Sequence, residues 1–288
     1  MSMPAVDLSA GRSALTVLAA RGADAARFLQ GQLSADIEKL AFPASTLAGF
    51  HSPQGRVIAL LAIARVTATE FFIVLPRELG ATVVQRLAKY VLRAKVKITD
   101  ESQALRVTGA PATGLPGALA ELTWGSRRLF VMPAGSLEAE AKEADEAARD
   151  AWERVDITDG LPQIYTATSE AFVAQMLNLD VLGAIAFDKG CYTGQEVIAR
   201  AHYRGRVKRR LQRWHAADGA APRAGDSART VDGRALTVVR AAPGENGGWD
   251  LLAVGTFAGA AAPESTAPVQ PDAIVVNGPL PLPYSLPE

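Results

Sequence analysis

The chain has 288 residues, of which 30 are basic and 30 are acidic, so its formal net charge is zero. This length allows two or three domains with sizeable cores. Because the charges cancel, no overall field would attract DNA or a membrane surface, and we expect neither as a partner. The single cysteine excludes an intramolecular disulfide and favours a reducing, cytoplasmic location. We expect a soluble monomer without a signal peptide.

The N-terminal half alternates strands and helices. A strand is predicted at Ala14–Ala20, followed by a short helix that begins after Asp24, ends near Gly31 and buries Phe28 and Leu29. The remaining predicted elements are strands at Leu47–His51, Arg56–Val66 and Glu70–Leu75, a helix at Arg77–Arg93, and strands at Val96–Thr99 and Leu105–Gly109. Hairpins of this kind, separated by helices, predict an α+β fold.

Composition changes twice in the second half of the chain. After a strand at Trp124–Met132, the Ala- and Glu-rich stretch Ser136–Val155 predicts a largely solvated helix. Beyond Gly205 the pattern becomes short apolar runs separated by Gly, Pro and Asp. These runs predict strands at Val207–Ala216, Ala235–Arg240, Trp249–Phe257 and Ala273–Val276. We interpret residues 206–288 as a small β-barrel domain.

The stretch Asp188–Leu211 concentrates reactive side chains around Cys191. Thr193 is the predicted N-cap of a helix that ends at about Tyr203, before Gly205. A thiol just before a helix N-terminus feels the positive end of the helix dipole, and Lys189 adds to that field. Cys191 is therefore a candidate nucleophile or metal ligand, although a lone cysteine is equally often a small buried apolar residue.

Three sequence blocks resemble one known family. The string KGCYTGQE (Lys189–Glu196), continued by VIAR and YRG, resembles the signature of the YgfZ family of folate-binding proteins, relatives of the glycine-cleavage T protein, an aminomethyltransferase. Phe28–Asp36 resembles the family block FLQGQLT-x-D. Ser169–Asp180 resembles E-x-F-x-P-Q-x-x-N-L-D, with Ala174 in place of the usual proline. The resemblance extends from about Ala14 to Leu211.

The resemblance implies a fold, a cofactor and partners. The expected fold is the aminomethyltransferase-like folate-binding fold, with two interleaved α+β modules over residues 1–205 and the C-terminal barrel. The implied function is that of a tetrahydrofolate-binding accessory protein that supports iron–sulfur cluster assembly or repair and tRNA-modifying iron–sulfur enzymes. Iron–sulfur enzymes or assembly proteins would be its partners, and a cluster would pass through it transiently.

The resemblance also assigns candidate site residues. Cys191 and Lys189 would face the reactive end of the folate, as a functional thiol and its partner. Glu196 is the main candidate for pterin recognition, because a carboxylate accepts hydrogen bonds from two donors on one edge of the ring. The full set of expected cofactor-binding residues is Tyr192, Gln195, Glu196, Arg200, Asn178 and Gln32.

One departure separates this chain from the T proteins that it resembles. They carry an Asp-Asp pair after a Gly–Ile turn, where this chain has Ile58-Ala59. An apolar pair cannot exchange a proton with the folate, so we leave open whether the protein is an enzyme. The alternatives are a folate-dependent aminomethyltransferase and a scaffold in which the motif only shapes a turn.

Other polar residues support fewer conclusions. The stretch Arg200–Arg213 contains seven Lys or Arg residues, which predict either a basic surface strand or an anion site for a folate glutamate tail or RNA phosphates. Tyr203 and Trp214 alone are too few to predict a platform for stacked bases. The spacing of the three histidines matches no zinc or iron site. We therefore predict no metal site, and no histidine base for Cys191.

Overall fold

A computed structural model describes residues 5–111, 114–136, 146–205, 207–256 and 274–287. Its strands form a five-stranded sheet, a four-stranded sheet and a closed barrel, with four α-helices packed around them, so the predicted α+β class is confirmed. No helix in these residues is long and apolar enough to cross a membrane.

The five-stranded sheet is antiparallel throughout, with the strand order β3-β4-β5-β2-β6. Its strands are β2 (Leu15–Arg21), β3 (Ala44–His51), β4 (Val57–Arg65), β5 (Glu70–Pro76) and β6 (Lys97–Asp100), accompanied by the helices α1 (Ala25–Gln32) and α2 (Arg77–Ala88). One face packs against these helices through residues such as Leu29 and Leu79, and the other packs against the second sheet. Burial on both faces explains the uninterrupted apolar sequence of β4.

The ends of the two helices differ from their predicted form. Asp24 occupies the N-cap position of α1 but makes no side-chain capping bond, because its carboxylate accepts the Lys95 N–H at 2.6 Å. The helix α2 ends at Ala88 instead of Arg93. The chain beyond it turns back through a Tyr90 N–H to Leu87 carbonyl bond, and this return brings Lys95 to the start of α1.

The second sheet has the order β1-β7-β9-β8 and is also antiparallel. Its strands are β1 (Val6–Asp7), β7 (Leu105–Ala110), β8 (Ala120–Trp124) and β9 (Arg127–Pro133). The strand predicted at Trp124–Met132 corresponds to β9, and only its predicted start is wrong. Trp124 ends β8, and a turn with Gly125 at a φ of 57° separates it from β9. The two-residue strand β1 is too short to have been predicted.

The helix α3 (Glu146–Thr158) covers this sheet, and the first part of its predicted span, 137–145, lies outside the described residues. The prediction of a largely solvated helix is wrong, because Trp152 and Asp156 are fully buried. Asp156 contacts the guanidinium groups of Arg127 and Arg240 and accepts a 2.8 Å hydrogen bond from Trp124. Charged residues that suggested exposure are thus buried as ion pairs.

The C-terminal residues form the predicted barrel, closed in the order β10-β13-β12-β11-β14. Its strands are β10 (Arg209–Ala216), β11 (Ser227–Thr230), β12 (Ala235–Pro243), β13 (Trp249–Thr256) and β14 (Ile274–Leu280). The pair β11–β14 is parallel, and the other pairs are antiparallel. The short polar strand β11 was not predicted. Phe257 and Ala273, at the ends of two predicted strands, lie outside the described residues.

Candidate functional site

The cysteine motif lies where the β3–β4 hairpin meets the helix α4 (Gln195–Tyr203). The N-cap of α4 is Gly194, with a φ of 82°, so the prediction of Thr193 as N-cap is wrong by one residue. A Cβ added at Gly194 would lie 2.6 Å from the Ser52 carbonyl oxygen and 3.1 Å from the Gly55 Cα. Only glycine permits both this conformation and this close approach.

The turn that follows β3 packs directly on the first turn of α4. Gly55 also has a positive φ, of 70°, and a Cβ there would lie 2.8 Å from the Val197 Cβ. The block resembling the family pattern at Ser169–Asp180 closes the same region from the other side. Val57 donates to the Phe172 carbonyl and accepts from the Glu170 N–H, both at 2.8 Å.

His51 and Tyr192 form a buried polar pair at the centre of this junction. Their ring centroids are 6.2 Å apart, and both side chains are almost completely buried. The two ring nitrogens of His51 have no hydrogen-bond partner among the described residues. The hydroxyl of Tyr192 has none there either. Burial lowers the pKa of His51 to about 3, opposed by the nearby Gly49 backbone. Burial raises the pKa of Tyr192 to about 12. Both rings are therefore neutral near pH 7.

The imidazole of His51 owes its position to Gly49. The two residues lie on the same face of β3, two positions apart. A Cβ added at Gly49 would lie 2.3 Å from the His51 Cε1 and 3.2 Å from the Ser34 Oγ. The imidazole thus occupies the space that a side chain at position 49 would fill.

The Lys189 ammonium group holds the loop after α1. Its three N–H groups donate to the carbonyls of Gln30, Leu33 and Ala35, each at 2.7 Å. Burial lowers the pKa of Lys189 to about 8, while Asp36 and Glu38 act in the opposite direction. The ammonium also lies 5.0 Å from the ring centroid of Tyr192. With all three donors used by carbonyls, Lys189 has none left for the Cys191 thiolate that we expected it to activate.

Ser34 ties three chain segments together at this junction. Its hydroxyl donates to the Ala184 carbonyl at 2.6 Å and accepts the Gly49 N–H at 2.8 Å. Its backbone accepts from the Ala186 N–H at 2.9 Å. Ser34 and His51 were both missed as site residues, because a serine in a loop and an isolated histidine carry no recognisable spacing signal.

The residues that we expected to face the ligand differ in their exposure to solvent. Cys191, Glu196 and Arg200 are exposed and Gln195 is half-buried, whereas Tyr192, Lys189 and Asn178 are buried. The exposed thiol is not the small buried apolar residue considered as the alternative for Cys191. The structure brings Tyr192 and His51 together, and leaves Glu196 and Arg200 on the outer surface of α4.

Gln32 belongs to a neighbouring surface. It is half-buried, and its Oε1 has no partner among the described residues. It lines a cavity of about 370 Å³ together with Arg27, Phe28 and Arg93. Because Lys189 holds the carbonyls on both sides of Gln32, the glutamine is linked to the cysteine motif through the backbone.

Asn178 serves the fold. It is fully buried in a left-handed conformation, with a φ of 58°. Its amide nitrogen donates to the Leu211 carbonyl at 3.0 Å and to the Tyr284 hydroxyl at 3.3 Å, and its oxygen accepts from Arg210 at 3.3 Å. These bonds connect the segment that contains Asn178 to the barrel strand β10 and to the C-terminal segment. Since both amide protons are used, Asn178 does not have the free donors expected of a folate contact.

The predicted basic stretch divides into two groups. Arg210 forms a buried bidentate pair with Asp180 at 3.0 Å for both bonds, Arg209 donates to the Val254 carbonyl, and Arg213 donates to the Pro281 carbonyl. Arg200, Arg204 and Lys208 are exposed, and Arg206 lies outside the described residues. The strand therefore uses its arginines for folding, and the predicted basic surface precedes it.

No group of three or more His, Cys, Asp or Glu side chains in the described part of the chain is arranged to hold a metal ion. A resident iron–sulfur cluster also needs several thiolates, and the chain has one.

Comparison with known proteins decides the family. The chain is 34% identical over 272 residues to "tRNA-modifying protein YgfZ" of Edwardsiella ictaluri, which covers 81% of this chain and 80% of the relative. The chain belongs to the YgfZ family. The YgfZ protein of Escherichia coli K12 is 31% identical over 299 residues, covering 93% and 90% of the two chains. No family model matches the chain.

A solved structure supports the fold of this YgfZ family member. The aminomethyltransferase T of the glycine cleavage system from Bartonella henselae matches with a TM-score of 0.65, over 88% of this chain and 78% of that one. The sequence identity is 14%, so the match shows the fold alone. The expected aminomethyltransferase-like fold is thereby confirmed. The pair Ile58-Ala59 lies on β4, and both side chains are buried in the core.

Proposed function

We propose that this YgfZ family member is a tetrahydrofolate-binding accessory protein for iron–sulfur enzymes that modify tRNA. The observation that carries the proposal is the buried pair His51 and Tyr192, which has no hydrogen-bond partner among the described residues. Buried polar groups in folded proteins are almost always paired, and unpaired ones mark strain, an ordered water or a ligand. Here they lie directly beside the family's most specific motif.

The residues present fit a reduced folate. The pterin ring presents N–H donors and ring acceptors, and a phenol and a neutral imidazole can each serve both kinds of partner. Gln175 adds a buried Oε1 without a partner, while its amide nitrogen donates to the Ile198 carbonyl of α4 at 2.7 Å. Tyr192, His51 and Gln175 would hold the ring. Glu196 and Gln195 would contact the more exposed part of the cofactor.

The exposed Cys191 would act toward a partner protein. A bound folate supplies a one-carbon carrier, and the thiol offers one ligand to an iron–sulfur cluster in transit, which is cargo and not a resident group. The relatives named tRNA-modifying proteins support the client class that we propose. A reducing cytoplasm, where a single exposed thiol stays reduced, is the location that we propose.

Folate binding is tested by thermal unfolding and calorimetry with tetrahydrofolate. A ligand at 100 times its dissociation constant stabilises the folded state by about 2.7 kcal/mol, so the melting temperature should rise. Tyr192→Phe removes one hydrogen bond of about 1 kcal/mol and should weaken binding about fivefold. Tyr284→Phe is the control, because Tyr284 is half-buried and its hydroxyl donates to the Gly160 carbonyl at 2.8 Å, outside the cysteine motif. Absence of any shift, or equal weakening by both variants, contradicts the proposal.

The second candidate function, aminomethyl transfer, is favoured by the fold and opposed by Ile58 and Ala59. An acid or base positioned for proton transfer typically contributes a factor of about 10² to 10⁴. We therefore expect folate affinity without turnover. The measurement is formation of the S-aminomethyl lipoyl carrier protein and free tetrahydrofolate from methylene-tetrahydrofolate, ammonia and reduced lipoyl carrier protein, followed by mass spectrometry. A turnover of about one per second would establish the second candidate instead.

A further inference from the structure

Three aromatic side chains meet at the C-terminal end of α4. Phe187 stacks on His202 with ring centroids 3.8 Å apart and an angle of 17° between the ring planes. Tyr203 packs edge-on against both, at 6.0 Å from Phe187 and 4.7 Å from His202. Phe187 comes from the loop before the cysteine motif and packs on the hydrophobic core. Phe187 therefore attaches the cluster to the hydrophobic core, and His202 and Tyr203 form its outer part.

The outer rings of this cluster are open to solvent. His202 is exposed, and Tyr203 is 68% exposed. A large aromatic side chain that packs only against other rings, and not against an aliphatic core, keeps much of its flat surface available to a ligand. Flat surfaces of this kind bind other flat groups by stacking.

Cations without an ion-pair partner among the described residues lie close to Tyr203 in the sequence. Arg200 lies three residues before Tyr203 and four before Arg204, so its side chain shares a helix face with each of them. Lys208 lies four residues further along. All three are exposed, and none makes an ion pair with any residue that the structure describes. The surface thus combines stacking rings with positive charge that nothing in the described chain neutralises.

We propose that this surface binds single-stranded nucleic acid, with one or two unpaired bases stacked on Tyr203 and His202. Arg200, Arg204 and Lys208 contact the flanking phosphates. Stacking of bases on aromatic rings beside a basic track is the general mode of sequence-tolerant single-strand binding. A duplex cannot use the rings, because its bases are already stacked on each other. The complementarity of rings to bases and of cations to phosphates distinguishes this occupant from an apolar protein partner.

The pairing of these rings is set by tertiary contact. The sequence placed Tyr203 and Trp214 near the basic stretch, but Trp214 is buried in the barrel. Phe187 and His202, which are 15 positions apart in the sequence, stack on each other beside Tyr203 instead. The inference does not depend on folate binding, because the surface uses none of the residues that hold the folate in the function proposed above. Arg200, which the resemblance assigned to the folate, is placed in this surface instead.

The experiment is fluorescence anisotropy of the full-length protein with a labelled 12-nucleotide RNA of mixed, unstructured sequence. Tyr203→Ser should weaken binding by a factor of about 5 to 150, which corresponds to one stacked base at about 1–3 kcal/mol. Arg204→Gln should weaken binding and lower the slope of log affinity against log salt by about 0.7. The matched controls, Tyr90→Ser and Arg223→Gln, remove an exposed tyrosine (47% exposed) and an exposed arginine elsewhere and should leave the affinity unchanged.

Three competitors identify the ligand. Unlabelled single-stranded RNA and DNA of the same length should each displace the probe. The ratio of their inhibition constants shows whether the ribose hydroxyl contributes to binding. A duplex of the same sequence should compete at least tenfold less well. Equal competition by the duplex overturns the proposal, because charge alone would then explain binding.

The remaining outcomes are equally decisive. No binding at about 50 mM salt with tens of micromolar protein overturns the proposal and leaves the cluster as a protein-docking surface. Equal losses in Tyr203→Ser and Tyr90→Ser also overturn it. The shift in melting temperature with tetrahydrofolate should persist in Tyr203→Ser, so failure of this inference and failure of the folate proposal give different results.

Discussion

Replacing His51 with glutamine should make the protein less sensitive to acid. The folded protein holds the His51 pKa at about 3 by burial, whereas the ordinary value is 6.5. Between these two values the unfolded chain binds a proton that the folded chain does not, so stability falls as the pH falls through this window. Above pH 6.5 both states are neutral and the effect disappears.

The magnitude follows from the distance below the ordinary pKa. At pH 5 the unfolded histidine lies 1.5 pH units below its pKa of about 6.5, and each unit corresponds to 1.36 kcal/mol. The wild-type protein should therefore lose about 2 kcal/mol of unfolding free energy between pH 7 and pH 5 through His51 alone. Glutamine keeps a polar side chain of similar reach but has no proton to gain in this range.

Urea unfolding of both proteins at pH 7, 6 and 5 measures this effect. Any other acid-sensitive groups are common to the two proteins, so the excess loss in the wild type isolates His51. The variant and the wild type differ in unfolding free energy at pH 7. This difference does not matter, because only the change in unfolding free energy between pH 7 and pH 5 is compared. If the two proteins lose the same free energy between pH 7 and pH 5, His51 is not buried in its neutral form and the assignment of the unpaired site is wrong.

Two further substitutions test the junction around the motif. Lys189→Met should destabilise the protein by about 2–4 kcal/mol, since hydrogen bonds from a charged donor contribute about 1.5–3 kcal/mol each and partial rehydration of the carbonyls offsets part of the loss. Cys191→Ser, an exposed neighbour, should leave the unfolding free energy within about 0.5 kcal/mol, and equal losses would contradict the role of Lys189. Gly194→Ala should cost about 1–3 kcal/mol in chemical unfolding because of its positive φ and the Ser52 carbonyl. An unchanged midpoint would show that the close approach is not required.

Local signals in the sequence were sufficient for much of the fold. Apolar runs identified β4, β5 and the strands of the barrel other than β11, because the burial of strand side chains leaves a direct trace in the sequence. The run of β4 is uninterrupted because both of its faces are buried. Proline and glycine within Ser52–Gly55 indicate the turn between β3 and β4, because their backbone preferences act locally. The aminomethyltransferase-like fold followed from three short blocks, which the relatives and the structural match confirm.

Helix boundaries were less predictable where a distant contact decides them. The Asp24 carboxylate accepts a hydrogen bond from the Lys95 N–H, so the start of α1 has no side-chain cap. Gly194, and not Thr193, begins α4, because the Ser52 carbonyl approaches too closely for any side chain. In both cases the residue that competes with the local preference lies far away in the sequence.

The sequence by itself determined the fold class, the family and the stretch where the reactive side chains concentrate. Tertiary structure alone decided the role of each of those side chains. Lys189 and Asn178 donate their hydrogen bonds to backbone carbonyls and to the Tyr284 hydroxyl. His51, which lies on β3, packs near Tyr192 without a hydrogen-bond partner among the described residues. Hydrogen-bond satisfaction depends on which groups lie within about 3 Å after folding, and residues more than 100 positions apart meet here. Periodicity and spacing record local geometry, so they contain no information about such partners.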